Sequence, residues 1–162
     1  MATRYTVAAL TFVALGLTLT VASAGAQLPH GVVPADKVQW GPAPPALPPG
    51  AQISVLEGNP GAKGAVTLRL KFPANYDIPP HWHSMDERLT VMSGALRVGM
   101  GDKIDRDHSQ TLDPGGFVSL PASMHHYAWT TTPTIVQISL EGPFDIFYVH
   151  PGDDPQKRQT SR

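Results

Sequence analysis

Between Ala65 and Phe72 apolar and polar side chains alternate without a break. Val66, Leu68, Leu70 and Phe72 share one parity; Thr67, Arg69 and Lys71 share the other. A period of two predicts a half-buried β-strand. Shorter stretches of strand character follow. His81 to Met92 reads as one strand ending at a Ser93-Gly94 turn, with Ala95 to Met100 as its hairpin partner. Phe117 to Leu120, His125 to Thr130, Thr134 to Leu140 and Phe144 to Val149 are further strand candidates. Asp113-Pro114-Gly115-Gly116 and Pro121 to Met124 read as turns, and Pro73 to Pro80 and Gly101 to His108 as loops. No convincing amphipathic helix is visible in this part of the chain. Short strands with Gly and Pro turns predict an all-β sandwich or barrel. Closing the sheet removes exposed edges, and doubling it is another of the standard solutions.

The ends of the chain differ from this pattern. Arg4 is the only charge before Gln27, and Val7 to Ala22 is apolar apart from Thr and Gly. Ala22-Ser23-Ala24 and Ala24-Gly25-Ala26 both fit a small-residue cleavage site. Residues 1–26 therefore read as a signal peptide, which predicts a periplasmic or secreted protein with no membrane association after cleavage. An N-terminal membrane anchor is the alternative, since the uncharged run is just long enough to span. Residues 27–50 form a Pro-rich arm, with Pro42, Pro44, Pro45, Pro48 and Pro49 favouring extended backbone. Val38-Gln39-Trp40 is its one strand-like piece. The arm is either a loose leader or a segment that packs Trp40 onto the domain or onto a second subunit. Residues 51–150 form the β domain, and 151–162 a polar C-terminal tail expected to fray.

The length of 162 residues is enough for one domain with one core. The formal charge of −1 carries no basic patch, so no nucleic-acid partner is expected. The chain has no cysteine, which excludes disulfides, thiolate metal ligands and a lipoprotein anchor.

The candidate chemistry lies in Pro79-Pro80-His81-Trp82-His83-Ser84-Met85-Asp86-Glu87. His81, His83 and Glu87 share one parity, so one strand would point all three to one face. Two imidazoles and a carboxylate converging on one point suit a divalent transition metal. The spacing His81-x-His83-x3-Glu87-x6-Gly94 resembles the first motif of the cupins. Gly115-x5-Pro121 followed by His126 resembles their second. The resemblance covers roughly Ile53 to His150 and implies a single cupin-type double-stranded β-helix, a jelly-roll barrel. It also implies that His81, His83, Glu87 and His126 bind one metal inside it: Fe, Mn, Ni, Cu or Zn. Three neutral imidazoles and one carboxylate leave a divalent ion about +1 by charge counting. Four protein ligands of an octahedral set leave two positions open.

Neighbouring strand residues face opposite ways, so only one of His125 and His126 can be a ligand. Counting from Pro121 selects His126, with His125 as the alternative. The sequence departs from the cupin pattern at Asn75 and Ser123, where glycines are usual, and at Thr130, where Asn often stands. None of these removes a ligand.

By resemblance, the function is that of a metal-dependent oxidoreductase, dioxygenase-like, acting on a small enolisable or phenolic compound. The alternatives are a metal-dependent isomerase or lyase of a small polar substrate, and a non-enzymatic ligand- or metal-binding protein. Glu87 is the candidate catalytic residue, as a proton shuttle beside its ligand role. Trp82, Tyr127 and Trp129 are expected to face away from the site. Gln137 could present an amide to a ligand or lie exposed. Met92, Phe117, Phe144 and Phe147 are expected to be core or pocket lining, and His30, His108 and His150 to be solvated. The resemblance and the Pro-rich arm together suggest a homodimer.

Overall fold

The computed structural model of the protein describes residues 31–159, so the signal-peptide reading and His30 lie outside the described residues. Strand β3 (Gly64–Phe72) forms where the alternation is cleanest, burying Val66, Leu68, Leu70 and Phe72. Its partner β10 (Thr134–Gly142) runs antiparallel, setting Leu68 opposite Ile138 and Leu70 opposite Val136. They are joined by β1 (Gly41–Pro42), β2 (Gln52–Glu57), β5 (Glu87–Ser93) and β8 (Phe117–Leu120) in one sheet, ordered β1-β2-β3-β10-β5-β8. The second sheet runs β11-β4-β9-β6-β7, from β4 (Asp77–Trp82), β6 (Leu96–Met100), β7 (Gln110–Leu112), β9 (His126–Thr130) and β11 (Phe147–Tyr148). All pairings are antiparallel. The two sheets face each other as a jelly-roll sandwich, with an apolar core between them.

Three expectations of the strand layout are corrected. His81 to Met92 is not one strand: β4 ends at Trp82 and β5 starts at Glu87, in the other sheet. The crossing at residues 83–86 is held by side chains. Asp145 accepts from the backbone N–H and hydroxyl of Ser84, and Asp86 accepts from the Ala122 N–H at 3.0 Å. The segment before it, read as a loop, is strand from Asp77. Pro79 and Pro80 sit where the β4–β9 register slips between Ile78 and His81, the kind of irregularity that tolerates residues without an N–H.

Ala95 to Met100 is likewise not the hairpin partner of the preceding strand. β6 pairs with β7 and β9, so Gly94 turns the chain from one sheet into the other. Gly94 has φ +76°, and a Cβ there would lie 2.4 Å from the Pro133 carbonyl oxygen. Gly94→Ala is therefore expected to destabilise the fold by about 2–4 kcal/mol, from overpacking and left-handed strain. Urea unfolding checks this against Gly152→Ala, whose Cβ would meet nothing within 4 Å.

The described part of the Pro-rich arm packs on the domain. Gly41 and Pro42 pair with Ile53 and Gln52, and Lys71 lies 5.7 Å from the centre of the Trp40 ring. The Tyr148 hydroxyl donates to the Ala46 carbonyl at 2.8 Å, and the Tyr76 hydroxyl to the Pro48 carbonyl at 2.5 Å. At the other end, Pro155–Gln159 forms a short helix, α1, where fraying was expected.

Trp82, Tyr127 and Trp129 face away from the site, as their parity predicts. Trp82 stacks on Phe147 at 4.4 Å. Tyr127 and Trp129 are nonetheless buried, covered by the Gly101–His108 loop. The Tyr127 hydroxyl bonds the Asp105 backbone, and the Arg106 guanidinium lies 4.7 Å from the centre of the Trp129 ring. Met92, Phe117 and Phe147 are exposed rather than core.

Candidate metal centre

The structure brings His81, His83, Glu87 and His126 together between the sheets, each at most 5% exposed. His81 near the end of β4 stands opposite His126 at the start of β9. Their ring centres are 4.1 Å apart, and the His83 ring lies 5.1 Å from one and 5.2 Å from the other. One ring nitrogen of each histidine lies within 4.8 Å of the others, so the three could hold a metal ion. Glu87 opens β5 in the opposite sheet. Its Oε2 is 3.3 Å from His83 Nε2 and 3.6 Å from His126 Nε2. Neighbouring donors each about 2.1 Å from one ion stand roughly 3 Å apart, so the carboxylate is close to a ligating position.

The tautomers follow from the backbone. Nδ1 of His81 faces the Pro79 carbonyl at 2.7 Å, Nδ1 of His126 the Met124 carbonyl at 2.9 Å, and Nδ1 of His83 the Asp145 carbonyl. A carbonyl only accepts, so each Nδ1 carries the proton and each Nε2 presents a lone pair when the ring is neutral. His83 Nε2 is buried without a hydrogen-bond partner among the described residues. An orphaned imidazole nitrogen beside two more imidazoles and a carboxylate fits a divalent transition ion. His125, the alternative ligand, is on the surface with Nδ1 2.6 Å from Asp102. His108 and His150 are also exposed, and Gln137 accepts from Arg69 at 3.1 Å.

The electrostatics act differently on the members of the cluster. Burial, then the neighbouring His126 and His83, hold His81 well below the ordinary imidazole range. Burial works against charge on His83, but the Glu87 carboxylate outweighs it and raises the imidazole. Burial also opposes charge on Glu87, and its contacts with His126 and His83 overcome this, leaving it well below the usual carboxylate range. Protons and metal compete for the same imidazole nitrogens. Glu87 raises the His83 imidazole, so this ring takes up a proton more readily than a free imidazole as pH falls, while Glu87 stays ionised. Metal occupancy is thus expected to be full above neutrality and to fall through the imidazole range. Dialysis at stepped pH followed by metal analysis checks this; occupancy unchanged down to about pH 4 would contradict histidine ligation.

Asn75 and Ser123, where the cupin pattern has glycine, both take positive φ, 57° and 64°. The turns persist without the glycines. Several residues around the site carry no local signal in the sequence. The loop after β10 supplies the Asp145 carbonyl, stacks Phe144 on His83 at 5.6 Å and turns Ile146 toward the cavity. Leu47 reaches the same cavity from the arm. A cavity of about 30 Å³ adjoins the cluster, and apart from the three histidines and Glu87 its walls are Leu, Ile, Val, Ala and Phe. Val98 and Val118 line both this cavity and an outer cleft of about 410 Å³.

Two facing antiparallel sheets around an inward histidine cluster define a cupin-fold protein. The chain belongs to the family described as a domain of unknown function, DUF4437, whose model matches residues 31–145. No curated protein matches it by sequence. Among solved structures it is similar to a candidate acetylacetone dioxygenase from Methylibium petroleiphilum PM1. That match has TM-score 0.60 and 21% identity, and covers 80% of this chain and 87% of that one. It is also similar to the polyketide cyclase RemF from Streptomyces resistomycificus, with TM-score 0.59, 18% identity, and 80% and 92% covered. A third is the DMSP lyase DddQ from Ruegeria pomeroyi DSS-3, with TM-score 0.57, 19% identity, and 72% and 63% covered. At these identities the likeness is one of fold. The neighbours' names span different reactions.

Proposed function

We propose that this is an exported metal-dependent oxidoreductase, dioxygenase-like, acting on a small enolisable or phenolic compound. The carrying observation is the apolar wall: within the cavity, every polar side chain belongs to the candidate metal cluster. A substrate there finds no lysine, arginine or hydroxyl to grip a second polar group. One oxygen-donor end and an apolar remainder match the chemistry of that lining. A sugar acid or other highly polar substrate would lose its hydration without replacement.

His81, His83, His126 and Glu87 would hold Fe, Mn, Ni, Cu or Zn. Bound there, a redox-active member of that set supplies a Lewis acid for an enolate and a centre for dioxygen chemistry. The three carbonyls orient the imidazoles so that each Nε2 faces the cluster. Glu87 is the one carboxylate in the cavity and would be the group to take the proton of an incoming enol. The apolar side chains exclude water from the reacting oxygen. Export rests on the leader-like residues 1–26.

The test begins with metal analysis of untagged protein from its native compartment, followed by oxygen uptake with phenols and 1,3-dicarbonyls. One equivalent of Fe, Mn, Cu or Ni with oxygen consumption supports the reading. Turnover without oxygen favours a lyase or isomerase, and ligand retention without turnover favours a binding protein. A protein that neither holds nor takes up metal has no working centre.

A further inference from the structure

The cavity walls come from the two sheets, the crossing that carries His83 and the loop after β10, with one exception. Leu47 lies on the Pro-rich arm, outside any strand, and is 5% exposed. It is the one buried side chain between residues 31 and 50. The arm is fixed on both sides of it. Tyr148 bonds the Ala46 carbonyl just before it, and Tyr76 bonds the Pro48 carbonyl just after. These tyrosines stand on different parts of the sandwich. Tyr148 is in β11, at an edge of the five-stranded sheet, while Tyr76 follows β3 and stacks on Phe72 at 5.0 Å. Together with the β1–β2 pairing, the arm bridges the edges of the two sheets and inserts Leu47 between them.

A space of about 30 Å³ admits water-sized molecules and no organic substrate. Some wall must give way. Moving a strand wall breaks a ladder of backbone hydrogen bonds, and moving the loop after β10 breaks the Asp145 bonds to Ser84 and the Phe144 N–H bond to the Pro60 carbonyl. Withdrawing Leu47 with its arm breaks two tyrosine bonds, a two-residue pairing and the Ala43 N–H bond to the Ala51 carbonyl. We propose that Leu47 is the specificity-determining wall of the metal cavity, carried on the arm as a displaceable strap, and that it sets the size of the apolar group the site accepts. This rests on the reading of the cavity as a metal-dependent binding site.

Alkyl hydroxamates test it, since they are bidentate oxygen chelators available in graded chain length. Full-length mature protein is loaded with Co(II), and binding is followed by the visible spectrum. Wild type should bind acetohydroxamate and lose at least tenfold in affinity by hexanohydroxamate. Leu47→Ala should reverse that trend, gaining about fourfold per added methylene until the vacated space fills. Leu47→Met, of similar volume, should behave as wild type. Tyr76→Phe with Tyr148→Phe should also tolerate longer chains, with Co(II) affinity unchanged. The same chain-length dependence in Leu47→Ala as in wild type would overturn the proposal. Leu47→Val provides a smaller effect in the same direction should the alanine variant not fold. A metal-free arm separates this from the functional reading: benzene should raise the Tm of Leu47→Ala and not of wild type. If wild type binds neither Co(II) nor hydroxamate, the functional reading falls while benzene still decides the wall. No benzene effect on Leu47→Ala would overturn the wall too.

Discussion

His81→Ala is expected to strip the metal from the protein while leaving the fold in place. Loss of a hydrogen-bond partner behind a ligating histidine typically lowers metal affinity about 10–100-fold, and loss of the ligand itself should exceed this. His81 stands at the centre of the cluster, opposite His126 in the register and 4.1 Å from its ring. Its ring contributes little that folding depends on. It is buried with its Nδ1 on a carbonyl only two residues away, and most of the core comes from β3, β5 and β10, with Ile78, Leu96 and Ala128 facing them from the other sheet. Mass spectrometry of the purified variant should find well under one equivalent of metal, with a melting curve close to that of wild type. His125→Ala, altering a surface residue paired with Asp102, should keep its metal. A His81→Ala protein that retained one full equivalent would break the ligand assignment.

The second large effect is on stability. Leu68→Ala should cost about 3–5 kcal/mol, in the upper part of the range for a buried leucine. Leu68 is 0% exposed and lies in β3, which pairs with β2 on one side and β10 on the other. Val55 and Ile138 are its register partners. Backbone pairing on both sides keeps β3 from collapsing into the space left by the missing methyls, so the cavity persists. Denaturant unfolding should show a lower midpoint at nearly unchanged slope. A loss below about 1 kcal/mol would mean that the two sheets pack more loosely than their burial indicates.

Strand β3 was legible because its alternation is complete and one face is buried. The four residues of the candidate centre were legible because their spacing is that of two linked motifs. The sheet that each belongs to was not. Period-two parity runs unbroken from His81 to Glu87, yet the chain changes sheets at residues 83–86. The bonds that hold this crossing come from Asp145 and Ala122, far away in sequence, so no local pattern marks it. Gly94 carries the same ambiguity. A Ser-Gly pair reads as a hairpin turn, and only its packing against Pro133 and Thr134 shows a crossover. Phe117 and Phe147 were misplaced because hydrophobicity alone cannot tell an edge-strand residue from a core one. The arm's role was undecidable from composition, since it depends on two tyrosine hydroxyls that meet it from elsewhere in the fold.

The three imidazoles of the centre are aimed by peptide carbonyls, those of Pro79, Met124 and Asp145. Every amino acid has a carbonyl, so no single substitution at these positions deletes the acceptor. Ligand orientation is thereby insulated from sequence drift, while the apolar walls remain free to change. A lineage built this way can exchange one substrate for another by remodelling side chains such as Leu47 and Phe144, with its histidines still held in register by the main chain.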